Sequence, residues 1–261
     1  MPAFIDQTGK SVSIINVPKR IISLVPSQTE LLFDMGLNNE VVGITKFCIH
    51  PDHWFRSKTR VGGTKQVNIE IIHSLKPDLI IANKEENIKK QIDELGKYYP
   101  VWVSDVNNLE DAYLMIGQIG IITRKEKAAE DIVTGIRQVF SQLNTKDSKI
   151  KTSYLIWQNP YMTVGSDTFI HSMMEYAGFE NIFRHKTRYP EVKIPEIRKL
   201  GCELLLLSSE PYPFKQKHIE QMQAQLPGTK IILADGEMFS WYGSRLLKAP
   251  GYFKDLWQQI K

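Results

Sequence analysis

The sequence predicts an α/β protein of two Rossmann-like lobes, each with a parallel sheet, bridged by a long backbone α-helix and enclosing a ligand cleft between the lobes. Three observations predict it. Short apolar runs alternate with helical stretches in both halves of the chain, the pattern of parallel strands covered by helices. The stretch between those halves, Asn108 to Leu143, contains no strand-like run. A short order of glutamate, helix, acidic residue and buried strand occurs once in each half. The domain organisation that follows is an N-terminal lobe over residues 1–107, a helical segment with the bridging helix over 108–145, and a C-terminal lobe over 146–261.

Each element has a local reason. Ile21-Ile22-Ser23-Leu24-Val25 is an apolar run that stops at Pro26. Ser27 and Glu30 stand three residues apart, the spacing of a capping box, so a helix is expected to begin there and to stop near Gly36. Strands are expected at Val41 to Ile44, Asp78 to Ala82 and Pro100 to Ser104, with helices at Ile69 to Leu75 and Ile88 to Leu95. Apolar residues then recur three or four apart, at Leu109, Ala112, Ile116 and Ile119 and again at Ala129, Ile132, Ile136, Val139 and Leu143, which is helical spacing. Gly120 to Thr123 is the expected break. The second piece, Lys125 to Leu143, is about 28 Å long at 1.5 Å per residue, enough to cross between lobes. Alternation resumes with strands at Tyr154 to Trp157, Leu204 to Leu207 and Ile231 to Ala234, and helices at Phe169 to Tyr176, His218 to Gln225 and Tyr252 to Ile260. The repeated order is Glu70 through Leu75 to Asp78-Leu79-Ile80-Ile81, and Glu196 through Leu200 to Glu203-Leu204-Leu205-Leu206, which suggests two lobes of similar build.

Composition removes several classes of function. With 42% hydrophobic and 24% charged residues the chain is an ordinary globular sequence rather than a disordered one. No apolar run approaches the roughly 20 residues of a membrane helix. The net charge is +4 with no block of five like charges, so no nucleic-acid partner is expected. Two cysteines, Cys48 and Cys202, are too few for a disulfide scaffold. Met1 to Gln7 contains no basic stretch followed by an apolar core and a small-residue cleavage site. The chain is therefore expected either to stay inside the cell or to be a processed form.

Enzyme signatures are absent: there is no Gly-x-Gly-x-x-Gly after a strand, no His-Glu-x-x-His, no Gly-x-Ser-x-Gly and no Cys-x-x-Cys. Gly62-Gly63-Thr64-Lys65 lacks the first glycine of a phosphate loop and reads as a turn. Cys48 and His50, with His53 close by, offer thiol and imidazole donors suited to a transition metal; the other reading is a loop with a buried cysteine and surface histidines. Aromatic residues gather in loops: Trp157 and Tyr161, Tyr212 and Phe214, and Phe239, Trp241 and Tyr242 followed by Arg245. Rings at strand ends can wall a binding site, because they combine large contact area with polar tips.

Arg20-Ile21-Ile22-Ser23-Leu24-Val25-Pro26-Ser27-Gln28-Thr29-Glu30 and Lys76-Pro77-Asp78-Leu79-Ile80-Ile81 resemble two signatures of class III substrate-binding proteins of ABC importers, the helical backbone metal receptors. The resemblance covers nearly the whole chain and is strongest to the cobalamin-binding group, with iron–siderophore and haem receptors as near relatives. It implies a non-enzymatic, monomeric protein of the periplasm or cell envelope. Such a protein captures cobalamin, another corrinoid or an iron–siderophore in the cleft and delivers it to a membrane permease, with no further cofactor required. It also implies that Glu70 and Glu196 dock to permease arginines. Ligand-wall positions fall on Phe47, His50 and Trp157, with the loop holding Phe239, Trp241 and Tyr242 opposite; Tyr161 is expected to join the wall and Arg245 to pair with acidic groups of the ligand. The alternative keeps the fold inside the cell, as an enzyme or handling protein for a metal tetrapyrrole or as a sensor.

Overall fold

The structure is a computed structural model that describes residues 3–143 and 149–260. The described chain opens with a small antiparallel hairpin of β1 (Ala3–Ile5) and β2 (Ser11–Ser13). There follow β3 (Ile21–Ser23), α1 (Pro26–Asp34), β4 (Val41–Ile44), α2 (Asp52–Ser57), β5 (Thr59–Arg60), α3 (Ile69–Leu75), β6 (Leu79–Asn83), α4 (Lys89–Leu95) and β7 (Val101–Ser104). Two helices come next, α5 (Leu109–Thr123) and α6 (Glu126–Ser141). The remaining elements are β8 (Ile150–Leu155), α7 (Phe169–Tyr176), β9 (Phe179–Asn181), α8 (Ile194–Lys199), β10 (Leu204–Ser208), α9 (Gln216–Gln223), β11 (Lys230–Ala234), α10 (Glu237–Ser240) and α11 (Ala249–Ile260).

Two compact units result. The first holds the residues up to Val106, Glu110–Ile136 and the segment Tyr242–Arg245; the second holds Asn107–Leu109, Arg137–Trp241 and the residues from Leu246 onward. The division thus falls inside α6. The expected boundary between residues 145 and 146 lies outside the described residues.

The first unit carries a five-stranded parallel sheet in the order β5-β4-β3-β6-β7. Its central strands are buried along their whole length, Ile21 to Ser23 and Leu79 to Asn83. This is why they read as unbroken apolar runs rather than alternating ones. Ile22, Leu24, Ile80 and Ala82 pack with Ile72 of α3 and Leu95 of α4. The second unit carries a four-stranded parallel sheet, β11-β10-β8-β9. Leu205 and Leu207 there meet Ile197 of α8, Met222 of α9 and Phe183. Parallel α/β architecture in both units follows from the alternation, as expected.

Local expectations fail in instructive places. Ser27 does not cap α1. Pro26 occupies the first helical positions, Val25 is the N-cap and no side chain caps the helix, since proline's fixed φ suits that place. The helix α5 continues through Gly120 to Thr123. A β-carbon on Gly120 would lie 2.5 Å from Ala129 Cβ, so this glycine permits close approach of α5 and α6 rather than a break. The break is Arg124, with φ +57°, followed by a hydrogen bond from Lys125 N–H to Gly120 C=O at 2.8 Å. Left-handed residues end helices in this way. The helix α6 is 16 residues long, about 24 Å, shorter than the expected span. The strand β8 begins earlier and ends two residues before Trp157, which leaves that residue in a loop.

Candidate functional site

In the first unit the chain leaves the carboxyl end of β4 and turns tightly through Thr45 to His50. Cys48 N–H donates to Thr45 C=O at 3.1 Å and Ile49 N–H to Phe47 C=O at 2.9 Å. The turn drives alternate side chains apart. Phe47 is 51% exposed and Ile49 is exposed, while Cys48 between them is fully buried. The Cys48 Sγ lies 3.1 Å from Oγ1 of both Thr29 and Thr45, and burial pushes the thiol above its ordinary range despite those contacts. A metal binds the thiolate, so this setting keeps Cys48 protonated. Among the described residues no group of three His, Cys, Asp or Glu side chains could hold a metal ion. Cys48 and His50 are therefore not brought together with a third donor. His50 is half-buried and ends the turn.

Phe47 lies over the turn that follows β5, with its Cε2 3.2 Å from where a β-carbon on Gly63 would stand. Gly62 has φ +102°, a conformation glycine adopts freely, and an isolated antiparallel bridge pairs it with Val67. The Gly62 to Lys65 run is therefore a turn, as expected. It leads to Asn68, whose side chain accepts from Ile71 N–H at 3.0 Å and caps α3. Glu70 stands exposed in the first turn. An open depression of about 600 Å³ lined by Gly62, Gln66, Val67, Asn68, Ile69 and Glu70 adjoins it.

Within the same unit the segment Tyr242–Arg245 is fastened to α1. Arg245 Nε and Nη2 each donate to Glu30 at 2.8 Å in a two-pronged pair, and Ser244 Oγ donates to Asp34. Arg245 is 7% exposed. Its guanidinium fork is thus turned onto a carboxylate of the protein's own, which corrects its expected place facing the ligand. Tyr242 is buried, with its hydroxyl 3.5 Å from Glu86 Oε1.

In the second unit, β8 runs into a tight loop. Ile156 N–H donates to Met162 C=O at 3.0 Å and Met162 N–H to Trp157 C=O at 3.2 Å. Trp157 is 41% exposed where that loop begins. The Tyr212 ring meets it edge-on at 5.6 Å, and the Tyr212 hydroxyl donates to Gln158 Oε1 at 2.8 Å. Tyr161 is half-buried and packs on the core of its unit. Phe239 is fully buried among Tyr154 at 5.1 Å, Phe253 at 4.9 Å and Tyr252 at 6.2 Å. It is a core residue, which corrects its expected place on a ligand wall. Trp241 is 5% exposed, and its indole N–H donates to Glu210 Oε1 at 2.9 Å. Glu196 stands in the first turn of α8 and pairs with Lys186 at 2.7 Å.

Sequence reasoning did not single out Glu210. The signal was present: it is the lone charge in Ser209-Glu210-Pro211-Tyr212-Pro213-Phe214, and only the rings of that loop drew notice.

No helix among the described residues is long and apolar enough to cross a membrane. The chain is 28% identical to an uncharacterized ABC transporter substrate-binding lipoprotein of Bacillus subtilis over 77% of this chain and 67% of that one. It is 25% identical to a vitamin B12-binding protein of Pectobacterium atrosepticum, over 89% of this chain and 86% of the relative. Its fold matches the crystal structure of the periplasmic catecholate-siderophore binding protein of Vibrio cholerae with a TM-score of 0.79. That match has 17% identity over 97% of this chain and 99% of that one. The periplasmic binding protein family model matches residues 21–229, and the chain belongs to that family.

Proposed function

We propose that this protein is the substrate-binding component of an ABC-type importer. It captures a bulky metal chelate, a corrinoid such as cobalamin or an iron–siderophore, and releases it unchanged to a membrane permease. The family match supports the importer role. The single structural observation that carries the ligand class is the exposure of large rings just beyond the strand carboxyl ends, Phe47 after β4 and Trp157 after β8. In α/β proteins ligands bind at those ends. Exposed rings cost little entropy to hold and suit the broad face of a tetrapyrrole or the planar catechol rings of a tris-catecholate.

His50 beside Phe47, and Tyr161 beside Trp157, add polar tips to the contact surface. Trp241 and Tyr242 contribute the narrow edges that burial leaves them. The metal of the chelate is held by the chelate's own donors, consistent with Cys48 being turned inward to two threonines. Glu70 and Glu196 are the permease-docking residues: each stands in the first turn of a helix that leads into a central strand of its sheet. The importer role places the protein in the periplasm or on the outer face of the cell envelope.

Titration of the purified protein with cyanocobalamin, hemin and a ferric tris-catecholate, followed by quenching of tryptophan fluorescence, tests the reading. One probe should bind stoichiometrically and be recovered chemically unchanged, and Trp157→Ala should weaken it at least tenfold. Chemical conversion of a bound probe, or saturation by none of the three, overturns it.

A further inference from the structure

We infer that Glu210 is a positioning residue for Trp241, and that the charge on its carboxyl group sets how firmly the indole is held. The inference rests on the proposed function only in making Trp241 part of the ligand surface. The geometry lies wholly within the second unit. Glu210 Oε1 accepts two hydrogen bonds, from Ser240 Oγ at 2.7 Å and from Trp241 Nε1 at 2.9 Å. One oxygen thus fixes two successive residues at the end of α10. The loop around it is tightly closed. A β-carbon on Gly236 would come within 2.5 Å of Glu210 Cγ and of Ser208 Oγ, and Gly236 N–H donates to Ser209 Oγ at 2.9 Å. Ser208 Oγ in turn donates to Glu210 C=O at 2.5 Å.

Among the described residues, no lysine or arginine reaches Glu210. The ionised carboxylate is held only by neutral donors. Burial pushes its carboxyl group above the ordinary carboxylate range, Glu237 and Asp235 push the same way, and the Ser240 and Trp241 bonds oppose them. Tyr154 on β8 also faces it, and Tyr252 on α11 lies against Asp235. The Tyr154 hydroxyl donates to Ser208 at 3.0 Å and the Tyr252 hydroxyl accepts from Asp235 N–H at 2.8 Å. An ionised carboxylate is the stronger acceptor, so protonation loosens the indole. The sign follows. Trp241 is held firmly above the raised value and less firmly as the pH falls through it.

The test uses the ligand-free protein and needs no knowledge of the ligand. The Trp241 indole N–H signal in a proton–nitrogen correlation spectrum is identified by its loss in Trp241→Phe. In the wild type it should move in one step as the pH falls from about 8 to about 4.5, with a midpoint above the usual glutamate value of about 4.3. The step should vanish in Glu210→Gln, which keeps an acceptor but cannot ionise. It should move to lower pH in Asp235→Asn, which removes a repelling charge. An indole signal that does not titrate, or that titrates alike in Glu210→Gln, overturns the inference. Should Glu210→Gln fail to fold, the wild-type and Asp235→Asn titrations still decide it.

Binding of cyanocobalamin, or of a ferric tris-catecholate where that is the probe bound, supplies the second readout. Glu210→Ala should weaken it about tenfold, with Glu210→Gln restoring part of the loss. If the indole titrates as described but Trp241→Phe binds like the wild type, Trp241 leaves the ligand surface and Glu210 loses its part in binding. The ligand class carried by Phe47 and Trp157 then stands or falls on its own titration.

Discussion

Two carboxylates, Glu30 buried and Glu210 half-buried, secure neighbouring stretches of the chain by opposite means. In the first unit Glu30 holds Arg245 through a two-pronged ion pair whose side chains are both under a tenth exposed. In the second unit Glu210 holds Ser240 and Trp241 with a hydroxyl and an indole N–H. The first charge is matched by a charge and the second is not. Losing one partner of a matched pair leaves a buried charge without its counter-charge. Removing an unmatched carboxylate leaves no such charge behind, and burial raises the range in which Glu210 takes up its proton. Secure anchoring and adjustable anchoring are thus built from the same residue type, and the partner decides which one results.

The largest expected effect tests the first half of that contrast. Glu30→Ala takes the two-pronged carboxylate from the buried Arg245 guanidinium and should destabilise the protein by about 3–5 kcal/mol, measured by urea denaturation. Replacing both partners, Glu30→Leu with Arg245→Met, should recover most of the loss, since an apolar pair of similar volume avoids burying charge. Glu210→Ala removes the shared acceptor of two neutral donors and should cost only about 1–3 kcal/mol. Equal losses for the two alanine variants would refute the contrast.

How much of this was legible in the sequence depends on the reach of each interaction. The parallel sheets were legible because buried central strands leave unbroken apolar runs, as in Leu204–Ser208. The short edge strands β5 and β9 were missed. β9, Phe-Glu-Asn, carries a charged residue at its centre, and only its pairing with β8 makes it a strand. The three-residue spacing of Glu30 from Ser27 reads as a capping box. Its carboxylate instead goes to Arg245, 215 residues away, a partner that no local pattern can reveal. Phe239 and Arg245 stand in sequence among other loop aromatics, a setting that reads as a ligand wall. Composition cannot distinguish a ring packed on Phe253 from one facing solvent. Phe47 enters the ligand wall only through the resemblance, and Trp157, expected as the last residue of a strand, lies two residues beyond the end of β8.

The repeated helix-and-strand order offers a second comparison, with a smaller expected effect. Asp78 N–H donates to Arg20 C=O at 3.0 Å, and its carboxylate accepts from the N–H groups of both Lys19 and Arg20, at 2.7 and 2.8 Å. Glu203 N–H donates to Lys151 C=O at 2.8 Å, and among the described residues its carboxylate accepts only from Lys151 N–H, at 2.9 Å. The acidic residue in each unit therefore clamps the start of the adjacent central strand, which gives the repeat a physical purpose. With two bonds against one, Asp78→Ala should cost about 2 kcal/mol and Glu203→Ala about 1 kcal/mol. Urea denaturation checks the order, and a larger loss in Glu203→Ala would undo the equivalence.

The smallest expected effect on stability concerns the two glutamates proposed to dock. Glu196 shares its charge with Lys186, which also lies 5.3 Å above the Phe183 ring. Glu70 makes no ion pair among the described residues and borders the open depression beside α3. The Lys186–Glu196 pair is about a third exposed, and pairs of this kind contribute about 0–1 kcal/mol, less in salt. Lys186→Ala should therefore shift stability by under about 1 kcal/mol, and the shift should fade near 1 M salt. Its effect on transport should run the other way. If Glu196 meets a permease cation, Lys186 competes for it, so removing Lys186 should leave uptake intact or raise it. Glu70→Lys, with no competitor to relieve, should depress uptake more than Glu196→Lys does, while both keep wild-type ligand affinity. Uptake by Glu70→Lys equal to that of the wild type would remove this glutamate from the docking surface.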